Sequence, residues 1–256
     1  MELIQAFRKK LQNGGFVIGP FSKTIDPAFI EAAGFSGFDF IILDMEHGPT
    51  NVFQLQNLVR AAQIGKCLSI VRIPFEKIED IGRALDIGAA GVQIPQITNK
   101  SQALDVVRQA KFFPMGDRGV CRYVRAANYS TMDRQAYFQE ANETIVILQI
   151  EGKEALKNIE SIAGVRGIDI IFFGPYDLSQ SLGIPGQVED ERVITLIGDI
   201  QAVCKANGIV TGVFVDNMAM LKHYAHMGIQ YLSYSVDVGL FAEYCSGIVK
   251  EFRLTI

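Results

Sequence analysis

No apolar run in the chain is long enough to cross a bilayer, which takes about 20 residues; segments such as Phe40–Leu43 and Ile145–Leu148 are far too short. The N-terminus, MELIQAFRKKLQNGG, lacks a signal peptide's order of basic, apolar and small residues and reads as an amphipathic helix ending at Gly14–Gly15. Basic charge is not in excess. Against 28 Asp and Glu stand 24 Lys and Arg, a net charge of −4, so the basic stripe expected of a nucleic-acid footprint has no support. Cysteine is sparse: Cys67, Cys121, Cys204 and Cys245 are far apart and form no C-x-x-C pair. That spacing offers neither a zinc site nor a disulfide framework, and free thiols imply a reducing compartment. These absences predict a cytoplasmic protein that handles small molecules, with no nucleic-acid or membrane partner.

What is present is a core. Of 256 residues, 49% are hydrophobic and 20% charged, which argues against disorder. The length admits one or two domains at roughly 150 residues each, or one α/β barrel of about 250. Short apolar, β-rich runs recur along the whole chain: Phe16–Gly19, Phe38–Asp44, Leu68–Ile73, Gly91–Ile94, Thr144–Glu151, Ile168–Gly174, Ile209–Val215 and Gln230–Tyr234. Each is continuous rather than alternating, as parallel strands buried on both faces require. Helical segments lie between them at Pro27–Ala33, Val52–Gln63, Ile78–Ile87, Ser101–Ala110, Lys153–Ile162, Glu191–Ala206 and Met218–His226. Several stop at a glycine, such as Gly65, Gly88, Gly208 and Gly228. No Pro/Ser-rich linker divides the series, so residues 1–256 are expected to form a single (β/α)8 barrel rather than a doubly wound sheet. One interval breaks the rhythm: 112–142, rich in Arg, Tyr and Gly, is either a functional loop or a short extra helix over the barrel mouth.

Barrel active sites sit where strands end and the following loops begin. Polar groups gather at four such ends: Asp44-Met45-Glu46-His47-Gly48-Pro49, Arg72-Ile73-Pro74, Gln149 with Glu151, and Gly174-Pro175-Tyr176-Asp177-Leu178-Ser179. Gln149 and Glu151 are two apart, so on a strand they share a face. Glu151 and Asp177 follow consecutive strands and are expected to be neighbours. Two carboxylates plus water suit Mg²⁺ or Mn²⁺, hard ions that keep positions open for substrate; the alternative is that both acids are N-caps of the helices that follow. Taken with His47 and Arg72, the metal reading is preferred. His47 is the only histidine at a strand end and suits general acid–base work, with Asp44 and Asp86 placed to orient its ring; the alternative is a packed histidine. Arg72 can fork onto a carboxylate or a developing enolate oxygen. His223 and His226 have no third ligand in view and read as surface residues.

The blocks FDFIILDMEHGP, IVRIP, ALDIGAAGVQIPQI, RGV, ILQIEGKEALKNIESIAGVRGIDIIFFGPYDLSQSLG and GIQYLSYSVDVGLF resemble the HpcH/HpaI aldolase family of metal-dependent class II pyruvate aldolases. The likeness runs from about Phe16 to Leu240. It implies a barrel of the phosphoenolpyruvate/pyruvate-binding type and reversible cleavage of a 4-hydroxy-2-oxo acid to pyruvate, or a related 2-oxo acid, and an aldehyde through a metal-stabilised enolate. It further implies His47 as base with Asp86 tuning it, Arg72 as transition-state stabiliser, and Glu151 and Asp177 as ligands of Mg²⁺, Mn²⁺ or Co²⁺. Gln149 and the backbone at Tyr176–Asp177 would then touch the 2-oxo acid, and the chain would form a homo-oligomer, by resemblance a hexamer. Tyr176 departs from the pattern, where a small residue is common. Arg122 and Arg125, past the shared Arg118-Gly119, are candidates to meet a charged acceptor or a neighbouring subunit. The rival readings are a citryl- or malyl-CoA lyase-like or citrate-synthase-like enzyme of the same fold, and a non-catalytic protein that binds a 2-oxo acid.

Overall fold

The computed structural model describes residues 1–255, leaving only the last position of the expected domain outside. Strands β1 (Val17–Ser22), β2 (Phe40–Asp44), β3 (Leu68–Arg72), β4 (Gly91–Ile94), β5 (Ile145–Ile150), β6 (Ile170–Phe173), β7 (Val210–Val215) and β8 (Tyr231–Val236) pair in parallel and in chain order. β8 pairs with β1, so the sheet closes into the expected barrel. Helices fill the crossovers outside it, among them Val52–Ile64, Asp80–Asp86, Lys100–Ala110 and Glu191–Ala206.

The alternation of side chains along each strand sorts the apolar residues into two cores. Phe40 and Ile42 of β2, Leu68 and Ile70 of β3, Ile145 and Ile147 of β5, Ile170 and Phe172 of β6, and Tyr231 of β8 fill the barrel interior. Their chain neighbours Ile41, Leu43, Val71, Val146, Leu148, Ile171 and Phe173 pack outward beneath the helices. Extending the inward set by one step brings Asp44, Arg72, Gln93 and Gln149 to the C-terminal end of the barrel. The register lines Asp44 up with Arg72, and Arg72 with Gln93. At the opposite end the N-terminal helix, Glu2–Gln12, inserts Phe7 and Leu11 into the interior core, with Phe7 edge-on to Phe40 and Tyr231.

Three features differ from the sequence expectation. β1 does not stop at Gly19 but continues to Ser22, with a shift of register between Gly19 and Phe21 where Pro20 has no N–H to give. A Cβ at Gly19 would lie 2.0 Å from the Phe40 carbonyl oxygen, so only glycine fits this crossing, and the extension carries Phe21 into the interior. The interval 112–142 does not cover the barrel mouth. It forms a 3-10 turn (Arg125–Ser130) and a helix (Arg134–Ala141) around Phe112 and Tyr137, at the N-terminal end of the barrel. There Lys111 Nζ donates to the Asn142 carbonyl at 2.8 Å and to that of Thr144, just ahead of β5. A cavity of about 660 Å³ lies at this same end, lined by Arg118, Arg125 and Tyr137 among others.

The third difference is a 19-residue C-terminal helix, Asp237–Thr255, beyond the last expected element. Phe241, Tyr244, Ile248, Phe252 and Leu254 are exposed along it. Its first residue ties it to the barrel: Asp237 accepts from Ser22 Oγ at 2.7 Å, Thr24 Oγ1 at 2.8 Å and the backbone N–H groups of Lys23 and Thr24. Burial works to raise the Asp237 carboxyl, but these donors hold it below the usual 3.8. No helix among the described residues is long and apolar enough to cross a membrane.

Asp237→Ala leaves these donors without their acceptor and is expected to lower stability by about 1–3 kcal/mol in urea unfolding at neutral pH. Because the folded-state pKa is depressed, the difference between wild type and variant should shrink as pH falls through the Asp237 value, below 3.8.

Candidate active site

The C-terminal rim is organised around Arg72. Its Nε donates to Asp44 Oδ1 at 2.8 Å and its Nη2 to Asp44 Oδ2 at 2.6 Å, a bidentate pair with both side chains buried. Nη1 stands 3.0 Å from Glu46 Oε2, and the guanidinium lies 4.5 Å from the centre of the Phe21 ring. Burial pushes the Asp44 carboxyl up, but the Arg72 hydrogen bonds and charge outweigh it, and the acid is held below its ordinary range. Glu46 is raised instead, since burial and the charges of Asp44 and Asp177 exceed the pull of Arg72.

Asp44 also shapes the chain that leaves β2. Its Oδ1 accepts from the backbone N–H of Glu46 at 3.0 Å and of His47 at 3.2 Å. Asp44 therefore positions the His47 main chain rather than the ring. The imidazole itself is largely open, 64% exposed, with Nε2 at 3.9 Å from Glu46 Oε2.

On the other side of the rim a run of amides fixes Glu151. Gln93 Nε2 donates to Gln149 Oε1 at 2.6 Å, Gln149 Nε2 donates to Glu151, and the Gln96 N–H donates to Glu151 Oε2 at 3.0 Å. Gln149 is thus committed to holding Glu151. Asp177 approaches from the helix Pro175–Ser181: a Cβ built on Gly174 would lie 3.1 Å from Asp177 Oδ2 and 3.6 Å from Glu151 Oε1. The two carboxylates flank this glycine. Burial, then the Asp177 charge, push Glu151 up to about 7. Neither acid is an N-cap. Gly152 and Gly174 occupy those positions, with no side-chain cap bond on either helix.

A half-buried Glu151 beside an exposed Asp177 of the same charge is a pair that a divalent cation relieves, so the two fit the hard, oxygen-liganded site expected of them. They would have to be completed by water or substrate. Among the described residues no group of three or more His, Cys, Asp and Glu side chains is placed to hold a metal.

Not every expected residue reaches this rim. Asp86 ends the helix Asp80–Asp86, which leads into the start of β4, so it lies at the opposite end of the barrel from His47. There its carboxylate takes Arg118 Nη2 at 2.5 Å. Within one chain it does not touch the imidazole. Arg122 and Arg125 are also at the far end: Arg122 donates to the Ser130 and Met132 carbonyls, and Arg125 to the Ile87 carbonyl and Gln63. Tyr176, by contrast, is at the mouth, its hydroxyl donating to Asp216.

Glu46, Gln93, Gln96 and Asp216 belong to the site and had no assigned role in the sequence. The signal for Gln93 was its inward parity on a strand paired with Arg72. That for Glu46 was its place between Asp44 and His47.

A family model described as HpcH/HpaI aldolase/citrate lyase matches residues 18–243. The chain belongs to this family. A 2-dehydro-3,6-dideoxy-6-sulfogluconate aldolase of Pseudomonas putida is 34% identical to the chain over 224 residues, 87% of each. The crystal structure of an HpcH/HpaI aldolase from Desulfitobacterium hafniense superposes with a TM-score of 0.90 at 31% identity, covering 96% of both chains. That of the citrate synthase SbnG does so at 0.87 and 30%, covering 97% of both.

Arg72→Ala would strand two buried carboxylates, Asp44 and Glu46, and is expected to destabilise the protein by about 3–5 kcal/mol. Pairing it with Asp44→Asn should recover part of that loss in thermal unfolding, whereas additive losses would show the pair to be uncoupled.

Proposed function

We propose that the chain is a metal-dependent class II aldolase that reversibly cleaves a 4-hydroxy-2-oxo acid to pyruvate, or a related 2-oxo acid, and an aldehyde. The observation that carries this reading is the juxtaposition at one rim of a paired-carboxylate site (Glu151, Asp177), a buried guanidinium (Arg72) and an open imidazole (His47), in a chain of this family. It is a carbon–carbon lyase. The assignment of His47, Arg72, Asp44, Gln149, Tyr176, Asp177 and Glu151 to this chemistry is part of the proposal.

Glu151 and Asp177 would hold Mg²⁺, Mn²⁺ or Co²⁺, which when bound would supply Lewis-acid polarisation of the 2-oxo acid. Gln149 and Gln96 keep Glu151 aimed at that position. In cleavage, His47, through water, takes the proton of the C4 hydroxyl. The hydroxyl oxygen becomes the carbonyl of the departing aldehyde as the C3–C4 bond breaks, and the bonding pair passes into the enolate of pyruvate. Arg72 faces that developing charge. Of its five N–H donors, two are given to Asp44, and those not turned to the carboxylates remain for the enolate oxygen. Protonation at C3 then yields pyruvate. Asp44 serves by locking the guanidinium and the His47 main chain.

The rival that keeps this rim but changes the electrophile, a citrate-synthase-like condensation, draws support from the likeness to SbnG. It is separated by product analysis with pyruvate plus short aldehydes against oxaloacetate or CoA thioesters. A non-catalytic 2-oxo acid binder would leave the methyl protons of pyruvate unexchanged in deuterated water.

Arg72→Lys keeps the charge but loses the fork, so kcat for pyruvate release with Mn²⁺ present is expected to fall about 10²–10³-fold. His47→Ala should fall similarly, and chelation should abolish turnover until metal is restored. Wild-type rates in both variants would defeat the assignment.

The cell compartment is taken to be the cytoplasm, in keeping with four unpaired cysteines. The chain also self-associates, a homo-oligomer for which the uncovered apolar residues of the C-terminal helix give the contact surface. Phe241→Asp with Phe252→Asp should lower the mass measured by light scattering; an unchanged mass would remove the helix from the interface.

A further inference from the structure

A row of aromatic rings rises from the barrel interior to the mouth. Phe21, whose ring receives the Arg72 guanidinium, packs edge-on against Phe214 of β7 with centroids 5.8 Å apart. Phe214 in turn meets Tyr176 at 6.3 Å. Tyr176 follows Pro175 in the first turn of the helix after β6 and immediately precedes Asp177. Its hydroxyl is given to Asp216, the residue directly after β7. The row Arg72–Phe21–Phe214–Tyr176–Asp216 therefore runs outward from the reacting centre along one side.

The end of that row is unusual in its charge. Of the carboxylates on this rim, Asp44 and Glu46 face Arg72, and Glu151 and Asp177 share the position suited to a divalent cation. Asp216 has only neutral donors: Tyr176 through its hydroxyl and Asn217 Nδ2 at 3.3 Å. Among the described residues no Lys, Arg or His lies within ion-pair distance of it; the ion pairs of this rim involve Arg72 and His47 alone. Tyr176 is about half exposed, so its hydroxyl and the Asp216 carboxylate are open to a molecule in the mouth.

We infer that Tyr176 and Asp216 select the aldehyde, admitting neutral, hydroxyl-bearing short aldehydes and rejecting those that carry a carboxylate. This rests on the aldolase reading above. A 2-oxo acid seated at Glu151 and Asp177, with its 4-hydroxyl toward His47, directs the remainder of its chain past Tyr176 to this pair. A hydroxyl there donates to Asp216 and accepts from Tyr176. A carboxylate meets an uncompensated like charge across a mouth whose single buried cation is already shared between two acids. The arrangement is not available to a chain with a small residue at position 176, because no hydroxyl from that position would then reach Asp216.

The test compares kcat/KM for addition of pyruvate to glyceraldehyde and lactaldehyde with that for glyoxylate and succinic semialdehyde, using the metal-loaded enzyme. Deuterium exchange into pyruvate without any aldehyde is measured alongside. Wild type should exchange and should favour the neutral pair by roughly tenfold or more. Asp216→Asn should erase most of that preference by raising the carboxylated aldehydes, and Tyr176→Phe should lower the neutral aldehydes with little gain for the charged ones. Melting curves establish that both variants are folded. Exchange with no preference in wild type, or a preference that Asp216→Asn leaves intact, overturns the selector while leaving the aldolase reading standing. Absence of both exchange and addition in wild type defeats the aldolase reading, and the selector falls with it.

Discussion

A buried guanidinium has to be answered by anions, and the answer given to Arg72 organises the whole rim. Asp44 meets it in a two-point contact across the β2–β3 register, Glu46 from the segment that follows β2, and Phe21 from below. Each of those partners brings something else into place. Asp44 holds the main chain at His47, and Phe21 starts the aromatic wall that reaches Tyr176. A single ion pair thus links the proposed base, the proposed stabiliser of negative charge and the side of the pocket on which the aldehyde is proposed to lie.

Charge at this end is distributed with economy. Three acids, Glu46, Glu151 and Asp177, are close enough to perturb one another, and burial pushes Glu46 and Glu151 upward. Such a cluster costs stability in the free chain, and a small, hard cation would relieve it, in keeping with the proposal that metal and 2-oxo acid bind here together. The near-neutral net charge of −4 is consistent with this: a small anion needs one cation and one arginine, not a basic surface. The opposite end of the barrel is treated differently, filled by Phe7 and Leu11 and flanked by the 112–142 segment.

How much of this was legible depends on whether the information was local. The strand runs, the helix stops at glycine and the parity of Gln149 with Glu151 are short-range properties, and they transferred to the structure with little change. β1 runs past the expected Phe16–Gly19 because an irregular register accommodates Pro20, which pairing across strands and not local pattern decides. The C-terminal helix was overlooked because its apolar residues, lacking a partner in this chain, give no core stripe to recognise. Asp86 was assigned to His47 by resemblance, although a helix that descends from β3 toward the start of β4 must deliver its last residue to the far end.

By itself, the sequence determined the parallel barrel and the identity of the groups at its strand ends, because hydrophobic runs, turn residues and period-two alternation are written along the chain. Only the tertiary structure decided which of those groups meet. Closing eight strands sets the register that brings Asp44 to Arg72, the loop after β6 that swings Asp177 to Glu151, and the contact between Tyr176 and Asp216 forty residues further on. The physical reason is that pairing across a barrel depends on how the sheet closes, a property of all eight strands together that no single segment carries.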